Sequence, residues 1–386
     1  MNRISVILKP TDACNIRCKH CYNSEKKYGL KKLSIESTNF IMDKLFREFK
    51  EVNIIWHGGE PLLMGKKYFE NIVQSQKKLS KKYGCKYKNS IQTNGILLDD
   101  DYLDFFTANK FTIGISFDGP VNNILRQETE KVEANLDRMI LRGDDFGVLS
   151  VICNDSIDSL KQIYEYFVKK GVKGVQIEKI FDSGEASKNS QLLVDIDIVT
   201  QKFTELFTYY LFDKNCKTHI TNFDVILHAL SGLGRIRCDM SSCLYKWVAI
   251  ENNGDIYPCA RFYSEEYKLG NIFDMEFVKD IFFFETYNTL VKKAITRRNK
   301  CMTKCKIYHF CNGGCNNQAI IDGDVTSPGG YGCTFFKRLF TYVFSTITEL
   351  SVDDLNRINP ILYDEVKHII MEKTYEAKQV YSNGSL

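Results

Sequence analysis

A chain of 386 residues is long enough to bury a large core and to form one large domain with a smaller one. Its 44% hydrophobic and 26% charged residues are typical of a soluble globular protein, and a net charge of +4 gives no reason to expect nucleic acid as a partner. The N-terminus lacks a signal-peptide pattern and no apolar run could cross a membrane, so the sequence predicts a cytoplasmic protein without a membrane partner.

The fourteen cysteines require an explanation of their own. Thiols stay reduced in the cytoplasm, so clustered cysteines there favour metal binding over disulfides. A disulfide-rich secreted scaffold is the alternative, but such scaffolds are usually short and carry export signals. We therefore expect the clustered cysteines to bind metal.

Short apolar runs alternate with amphipathic stretches from residue 4 to about residue 212. The runs are 4–9 (ISVILK), 52–57 (VNIIWH), 89–94 (NSIQTN), 111–117 (FTIGISF), 147–154 (GVLSVICN) and 174–180 (GVQIEKI). Helical patterning lies between them at 34–49, 102–110 and 156–171. Ser34 is a plausible helix start and Gly171 a plausible stop. This alternation predicts an α/β fold in which six parallel strands are joined by right-handed crossovers.

Distinctive loops follow these strands. Three cysteines come after the first strand, HGGEP after the second, TNG after the third, SFDGP after the fourth and EKIFDSG after the sixth. Ligands in parallel sheets bind where the carboxyl ends of the strands meet. The sequence therefore predicts a single active site at that edge, with the cysteine loop in it.

The first cysteine cluster comprises Cys14, Cys18 and Cys21, with three and then two residues between them. Three thiolates hold three irons of a four-iron cluster and leave the fourth iron open for a substrate or cofactor. Zinc bound by the three cysteines and His20 is the alternative. Because His20 and Cys21 are adjacent, they can rarely both reach one tetrahedral ion, and the spacing favours the cluster.

These motifs, CNIRCKHC, GGEP and SFDG in that order, resemble those of radical S-adenosylmethionine (SAM) enzymes over residues 4 to about 212. The resemblance implies a partial (β/α)6 barrel of the TIM type. It also implies that SAM chelates the open iron and is cleaved to a 5′-deoxyadenosyl radical, with an electron from a reductant such as flavodoxin or ferredoxin.

A SAM site is implied by the same resemblance. Gly58, Gly59 and Glu60 match the motif that holds the SAM amino group, where glycines allow close approach and a carboxylate suits an ammonium. The other matching positions are Ser116 near the ribose and carboxylate, Arg126 as a partner of the carboxylate, and Ile180 against the adenine.

A second array of eight cysteines lies between residues 238 and 333, enough for two fully ligated four-iron clusters or for structural zinc knuckles. It resembles the SPASM extension of radical SAM enzymes, which implies three 4Fe-4S clusters in all and interleaved ligands. Auxiliary cluster I would use Cys238, Cys243, Cys259 and Cys315, and auxiliary cluster II would use Cys301, Cys305, Cys311 and Cys333. Three residues separate Cys301 from Cys305 where the family usually has two, so we expect one residue to bulge out.

The predicted domains are a radical SAM barrel (1–215), a connecting helix (216–237), a SPASM domain (238–340) and a helical tail (341–386). Cys85, Cys153 and Cys216 have no assigned partner, and Cys153 is expected to be buried in the core. The lysine-rich segment 66–88 is expected to be a solvated helix face.

The SPASM resemblance implies a peptide or protein substrate. One branch of the family oxidises ribosomally made peptides to form carbon–carbon or thioether cross-links, and another oxidises a cysteine or serine of sulfatases to formylglycine. The sulfatase branch typically carries an aspartate base directly after the cysteine that matches Cys259, where this chain has Ala260. The sequence thus favours an oxidative peptide maturase, with a sulfatase-maturating enzyme as the alternative. An iron–sulfur electron carrier or scaffold would not explain GGEP or SFDG.

Substrate recognition and proton transfer are less well defined. Many peptide maturases carry a leader-binding domain ahead of the barrel, whereas the first strand here begins at residue 4. The leader of a precursor peptide is therefore expected to bind a separate protein, the SPASM surface or the C-terminal helices. The catalytic base is left unassigned among Glu178, Glu251 and Asp239.

Overall fold

The computed structural model describes residues 2–23, 31–234, 237–262 and 264–382. Its strands are β1 (Arg3–Leu8), β2 (Glu51–Trp56), β3 (Lys86–Thr93), β4 (Thr112–Ser116), β5 (Phe146–Ile152), β6 (Gly174–Lys179), β7 (His219–Ile220), β8 (Trp247–Ile250), β9 (Asp255–Tyr257) and β10 (Gly270–Asn271). They form one sheet in the order β10-β9-β8-β1-β2-β3-β4-β5-β6-β7.

Helices connect and cover the strands. They are α1 (Ile35–Glu48), α2 (Lys66–Tyr83), α3 (Asp100–Ala108), α4 (Asn122–Leu125), α5 (Thr129–Arg142), α6 (Leu160–Lys170), α7 (Ile196–Phe212), α8 (Thr221–Leu230), α9 (Glu285–Lys304), α10 (Tyr308–Cys311), α11 (Asn316–Ile321), α12 (Gly330–Glu349) and α13 (Tyr363–Ser382). Within the described residues, no helix combines the length and the apolarity that crossing a membrane requires.

The predicted parallel α/β arrangement is confirmed. Strands β1 to β6 pair in parallel in chain order, with registers such as Val6 opposite Ile54 and Ile115 opposite Val148. Each connection between them contains a helix, which a parallel pair requires. Because all six strands run the same way, the loops after them leave from a single edge of the sheet.

Local sequence sets the helix ends that flank these strands. The Ser34 hydroxyl accepts a hydrogen bond from the Ser37 backbone N–H at 3.0 Å and so caps α1. Gly171 ends α6 in the left-handed conformation at φ 78°, as predicted. The start of α6 differs from the prediction, because a short 3₁₀ turn at Ile157–Ser159 precedes it.

The core lies between the sheet and its helices. Phe46 of α1, Trp56 of β2, Phe69 of α2 and Phe106 of α3 are all buried. The rings of Trp56 and Phe69 meet edge to face with their centroids 5.4 Å apart. Cys153 is buried as expected, and every cysteine of the chain is free of disulfide bonds. The lysines of α2 are mostly exposed, as expected of a solvated face, but the helix ends at Tyr83, so Lys86 and Lys88 of the predicted helix 66–88 belong to β3 instead.

The sheet is larger than the sequence predicted. Strand β8 pairs in parallel with β1, from Ser5 opposite Trp247 to Leu8 opposite Ile250, and β9 and β10 continue the sheet in antiparallel order. These strands span only two to four residues, too few for a visible period in the sequence. As a result, the segment after residue 238 packs against the first barrel strand.

The C-terminal helices pack on the outside of the barrel. Helix α12 contacts α7, where the rings of Phe335 and Phe203 meet edge to face at 5.2 Å. The predicted helical tail is present as α12 and α13, although the predicted domain limit at residue 340 lies inside α12. The domain limits themselves stay predictions.

Candidate active site

The first three cysteines lie on the loop that follows β1. Cys14, Cys18 and Cys21 are half-buried and within electrostatic range of one another. Burial raises the pKa of each of these thiols. Since iron binds the thiolate, a bound cation would supply the stabilisation that burial removes, and this donor set fits a metal cluster.

The glycine motif after β2 lies directly against this cysteine loop. The Gly59 N–H donates to the Thr11 carbonyl at 2.9 Å, and the Glu60 N–H donates to the Ala13 carbonyl at 2.8 Å. A Cβ at Gly59 would lie 2.1 Å from the Ala13 oxygen. The close approach therefore requires glycine at this position.

Glu60 joins the loops that follow β2 and β3. Its buried carboxylate accepts hydrogen bonds from Leu62 N (3.0 Å), Thr93 Oγ1 (2.8 Å) and Asn94 N (2.8 Å). Burial raises the pKa of Glu60 to about 7. Asn94 in turn donates to Asn15 Oδ1 at 2.7 Å, so the TNG loop reaches the cysteine loop as well.

Arg126 is fixed by the SFDG motif. Its Nε donates to Asp118 Oδ2 at 2.9 Å, and Asp118 Oδ1 accepts a hydrogen bond from the Val151 N–H at 2.7 Å. The guanidinium is also within electrostatic range of the Cys18 thiol. Ser116, in the same motif, accepts a hydrogen bond from Gln92 Nε2 at 2.8 Å. The structure thus brings the predicted Arg126 to the cysteine loop, while its contact with SAM stays a prediction.

The loop after β6 contacts the last cysteine. The Glu185 N–H donates to the Cys21 carbonyl at 3.0 Å. Gly184 has φ +60°, and a Cβ there would lie 2.3 Å from the same carbonyl oxygen. Ile180, predicted to pack on adenine, is buried in a small apolar cluster with Leu125 and Val151.

The zinc alternative finds no support in the positions of these side chains. His20 is half-buried, and the partial loss of solvent lowers its pKa well below the usual value. Among the described residues, no three His, Cys, Asp or Glu side chains converge as ligands of one metal ion would. A four-iron cluster takes one thiolate per iron and spreads its ligands further apart, so the thiols fit a cluster better.

Sequence reasoning missed a buried lysine beneath this loop. Lys9, fully buried at the end of β1, lies 3.1 Å from Glu251 Oε1 and donates to Asn23 Oδ1 and to the Ala260 carbonyl at 3.1 and 3.2 Å. It joins the cysteine loop to the segment before and after β9. The signal in the sequence was the position of this lysine directly after an apolar strand, where a charged side chain needs a buried partner.

His57 was also missed, although it directly precedes the glycine motif. Its Nδ1 accepts the Gly58 N–H at 2.8 Å, so the neutral ring carries its proton on Nε2. Burial and the nearby Lys9 lower the pKa of His57 to about 4. The ring lies 6.0 Å from that of Tyr22, edge to face. At neutral pH His57 is therefore an uncharged hydrogen-bond donor.

The three carboxylates left unassigned are distributed over two groups. Glu251 pairs with Lys9, whereas Glu178 and Asp239 both pair with Arg237, at 3.3 and 2.8 Å. Burial raises the pKa of Glu178, but Arg237 and Lys179 outweigh it and hold that pKa below its usual value. Glu178 is thus an anion at neutral pH.

The eight later cysteines form two groups. Cys238, Cys243, Cys259 and Cys315 lie within electrostatic range of one another. Cys301, Cys305, Cys311 and Cys333 form the second group. These are the two interleaved sets that the resemblance implies.

The unusual spacing in the second set has a simple structural basis. Helix α9 runs through Lys304, and the Cys305 N–H donates to the Cys301 carbonyl at 2.8 Å. The two thiols are therefore one helical turn apart on the same face. The expected bulge is absent at this point of the chain.

A buried arginine, Arg297 of α9, supports the turn between the two sets. Its guanidinium donates to the carbonyls of Gly313 at 2.9 Å and Val325 at 2.7 Å, and to Asn316 Oδ1 at 2.6 Å. Gly313 has φ +83°, a conformation that glycine adopts without strain.

Comparisons with known proteins agree with this geometry. The model of the radical SAM superfamily matches residues 8–173, and that of the SPASM iron–sulfur cluster-binding domain matches residues 238–316. A cysteine-type anaerobic sulfatase-maturating enzyme of Clostridium perfringens is 27% identical over 370 residues, which cover 91% of this chain and 99% of that protein. A serine-type enzyme of Bacteroides thetaiotaomicron is 25% identical, over 92% of this chain and 93% of that protein.

Solved structures show the same fold. That of anSMEcpe with bound AdoMet has a TM-score of 0.78 and 27% identity, and the match covers 89% of this chain and 97% of that one. Streptococcus suis SuiB bound to its precursor peptide SuiA has a TM-score of 0.62 at 16% identity, over 84% and 74%, which shows the fold alone. The predicted fold and cofactors, SAM and 4Fe-4S clusters, are confirmed, and the chain belongs to the radical SAM superfamily, with a C-terminal SPASM domain.

Proposed function

We propose that this enzyme oxidises a cysteine side chain of a protein substrate to formylglycine, as a cysteine-type sulfatase-maturating enzyme. The observation that carries this proposal is the extent of the likeness. It runs through both domains and covers 99% of the Clostridium perfringens relative, with a TM-score of 0.78 to anSMEcpe. The peptide maturase favoured by sequence reasoning becomes the second candidate.

In this proposal, the three cysteine sets hold three 4Fe-4S clusters. Cys14, Cys18 and Cys21 would hold the first cluster, which would supply the electron for cleavage of SAM to the 5′-deoxyadenosyl radical. The loop from Gly58 to Glu60 holds the SAM amino group next to it. The remaining SAM contacts are Ser116, Arg126 and Ile180.

The reaction needs a proton acceptor as well as a radical. Oxidation of the –CH2–SH group to a thioaldehyde removes one hydrogen atom, one proton and one electron. The 5′-deoxyadenosyl radical would take the hydrogen atom, and an auxiliary cluster would be the acceptor of the electron. Water then replaces sulfur, which leaves as hydrogen sulfide, and gives the aldehyde.

Glu178 is the proton acceptor in this account. The position after Cys259, where the sulfatase branch typically has its aspartate base, is occupied by Ala260, whose methyl group cannot take a proton. The next residue, Arg261, is within electrostatic range of Glu178, so this carboxylate lies in the same region. Both Glu178 and Glu251 are ion-paired, but Glu251 is less suited because it and its partner Lys9 are almost fully buried, whereas Glu178 and Arg237 are partly exposed.

Cross-linking of a ribosomally made peptide remains the second candidate because of Ala260. It would require a precursor peptide with a leader, which the sequence predicts to bind a separate protein, the SPASM surface or the C-terminal helices. Both candidates require a reductant such as flavodoxin or ferredoxin.

Mass spectrometry separates the two functions. The iron-loaded enzyme is incubated anaerobically with SAM, a reductant and a cysteine peptide from a sulfatase of the same organism. We expect the cysteine to lose two hydrogens and to exchange sulfur for oxygen, and the product to react with a hydrazide. The opposite result would be an unchanged sulfatase peptide together with a small co-expressed precursor that loses two hydrogens and keeps its sulfur. That result would contradict formylglycine formation and support cross-linking.

A further inference from the structure

A basic groove opens to solvent between α9 and α12. It encloses about 760 Å³, and α12 lines it from Cys333 to Ser345. At 1.5 Å per residue, this stretch of α12 is about 18 Å long. The groove therefore extends well beyond the space around the cysteines themselves.

Three of the four cysteines proposed to bind auxiliary cluster II line this groove, namely Cys301, Cys305 and Cys333. Cys333 is exposed, and Cys305 is half-buried. A cluster held by this set would thus have one side facing the groove. This inference rests on the proposed function, in which Cys301, Cys305, Cys311 and Cys333 hold one of the three clusters.

The charge of the groove has a single sign. Lys300, Lys304, Lys337 and Arg338 line it and are exposed, and the described residues that line it include no carboxylate. Arg338 pairs with Asp197 of α7, so the three lysines carry the net positive charge. Such a surface attracts an acidic partner and speeds its association.

We propose that this groove is the docking site of an acidic one-electron carrier protein of the flavodoxin type. An acidic peptide would neutralise the lysines, but its binding would not require the cysteines that line the same groove. A carrier needs both features, because electron transfer requires its flavin to come close to the cluster. In that position, the oxidised flavin of the carrier would be the acceptor of the single electron that the substrate loses, and Cys301, Cys305, Cys311 and Cys333 would hold the cluster that lies between them.

Binding of a recombinant flavodoxin of net negative charge tests the proposal without the substrate. Calorimetry with the iron-loaded protein would compare K300E/K304E/K337E with K67E/K78E/K81E, which makes the same charge change on exposed lysines of α2. We expect the groove variant to weaken binding by about tenfold or more, and the α2 variant to change it by less than about twofold. Added salt should weaken binding to the wild-type protein and have less effect on the groove variant.

A second variant guards against damage to the cluster. Lys300 and Lys304 are adjacent in sequence to the proposed ligands Cys301 and Cys305, so their replacement could disturb the cluster. The variant K337E/T341E places two negative charges on α12, where neither residue is next to a ligand in sequence. With wild-type iron content, it should also weaken binding and slow oxidation of the dithionite-reduced clusters by flavodoxin. Unchanged binding in both groove variants, or an equal loss in the α2 variant, would overturn the proposal.

Two further outcomes show which part of the proposal is wrong, the identity of the partner or the assignment of cluster II. If flavodoxin does not bind but an acidic precursor peptide does, and the groove variant abolishes that binding, the groove is a peptide site. If C301A leaves the iron content unchanged, the assignment of cluster II is wrong, whereas formylglycine formation is tested by the peptide assay alone.

Discussion

The cysteine loop after β1 and the cysteine array after residue 238 are held in different ways. Backbone hydrogen bonds fix the first loop from two sides, through Gly59 and Glu60 after β2 and through Glu185 after β6. The second array depends on side chains of distant residues, above all Arg297. The cysteines of both regions were readable in the sequence, but the supporting contacts were readable only for the first region, where the glycines of the motif make them. Arg297 supports the second region through a side chain whose partners Gly313 and Val325 lie 16 and 28 residues away.

The largest effect is expected at the cysteine loop itself. Replacement of Cys14, Cys18 or Cys21 by alanine should abolish SAM cleavage, because each thiolate holds one iron of the cluster. Chromatography of 5′-deoxyadenosine measures this loss. C85A removes a buried thiol outside the three sets and should retain cleavage. A Cys18→Ala protein that still formed 5′-deoxyadenosine would refute the assignment of this site.

The next effect tests the backbone contacts. G59A puts a Cβ 2.1 Å from the Ala13 oxygen and must displace the cysteine loop, so we expect SAM cleavage to fall by about a hundredfold. G174A is the matched control, because nothing lies within 4 Å of a Cβ at that position. Iron content and SAM cleavage of both variants would be measured together. Wild-type cleavage by G59A would show that the loop tolerates the displacement.

Substitution of Glu178 should affect substrate oxidation without affecting radical formation. E178Q removes the proton acceptor but leaves the cysteine loop intact, so we expect product to fall by about a hundredfold while SAM cleavage persists. Product and 5′-deoxyadenosine would be quantified in the same reactions. E251Q, which breaks the Lys9 pair instead, should lower both yields in proportion. Loss of product alone in E251Q, with E178Q fully active, would transfer the role of base to Glu251.

Arg297 tests how the second array is held. R297M leaves the carbonyls of Gly313 and Val325 without their donor, which should cost about 2–3 kcal/mol and loosen the turn between the two sets. Thermal unfolding should shift downwards, and the auxiliary clusters should be lost before the first cluster. R298M is a neighbouring control. If both variants unfold like the wild type, the turn does not depend on Arg297.

The smallest effect concerns the barrel scaffold. S34A removes the cap of α1 and should lower the free energy of unfolding by about 1 kcal/mol. Iron content and SAM cleavage should stay at the wild-type level, because no site contact changes. Calorimetry and the cleavage assay check the two statements separately. A loss of iron in S34A would mean that the scaffold and the site are more tightly coupled than the contacts indicate.

Much of the fold was predictable because its signals are local. Six apolar runs gave β1 to β6, and the loop motifs identified the edge at which the cysteines, Gly59 and Arg126 meet. The strands β8 to β10 were missed because they are too short for periodicity. Lys9 and Arg297 were missed for another reason: partners of theirs lie 251 and 28 residues away in the sequence. The position of Lys9 after an apolar strand was visible, but one sequence does not show which residues such side chains pair with.

The central claim is that the radical formed at the cysteine loop attacks the side chain of a substrate cysteine. It is tested most directly with a sulfatase-derived peptide whose cysteine carries deuterium on Cβ, in a reaction with unlabelled SAM. The account predicts that deuterium appears in 5′-deoxyadenosine in step with formylglycine formation. Unlabelled 5′-deoxyadenosine, formed while the peptide cysteine stays intact, would contradict it.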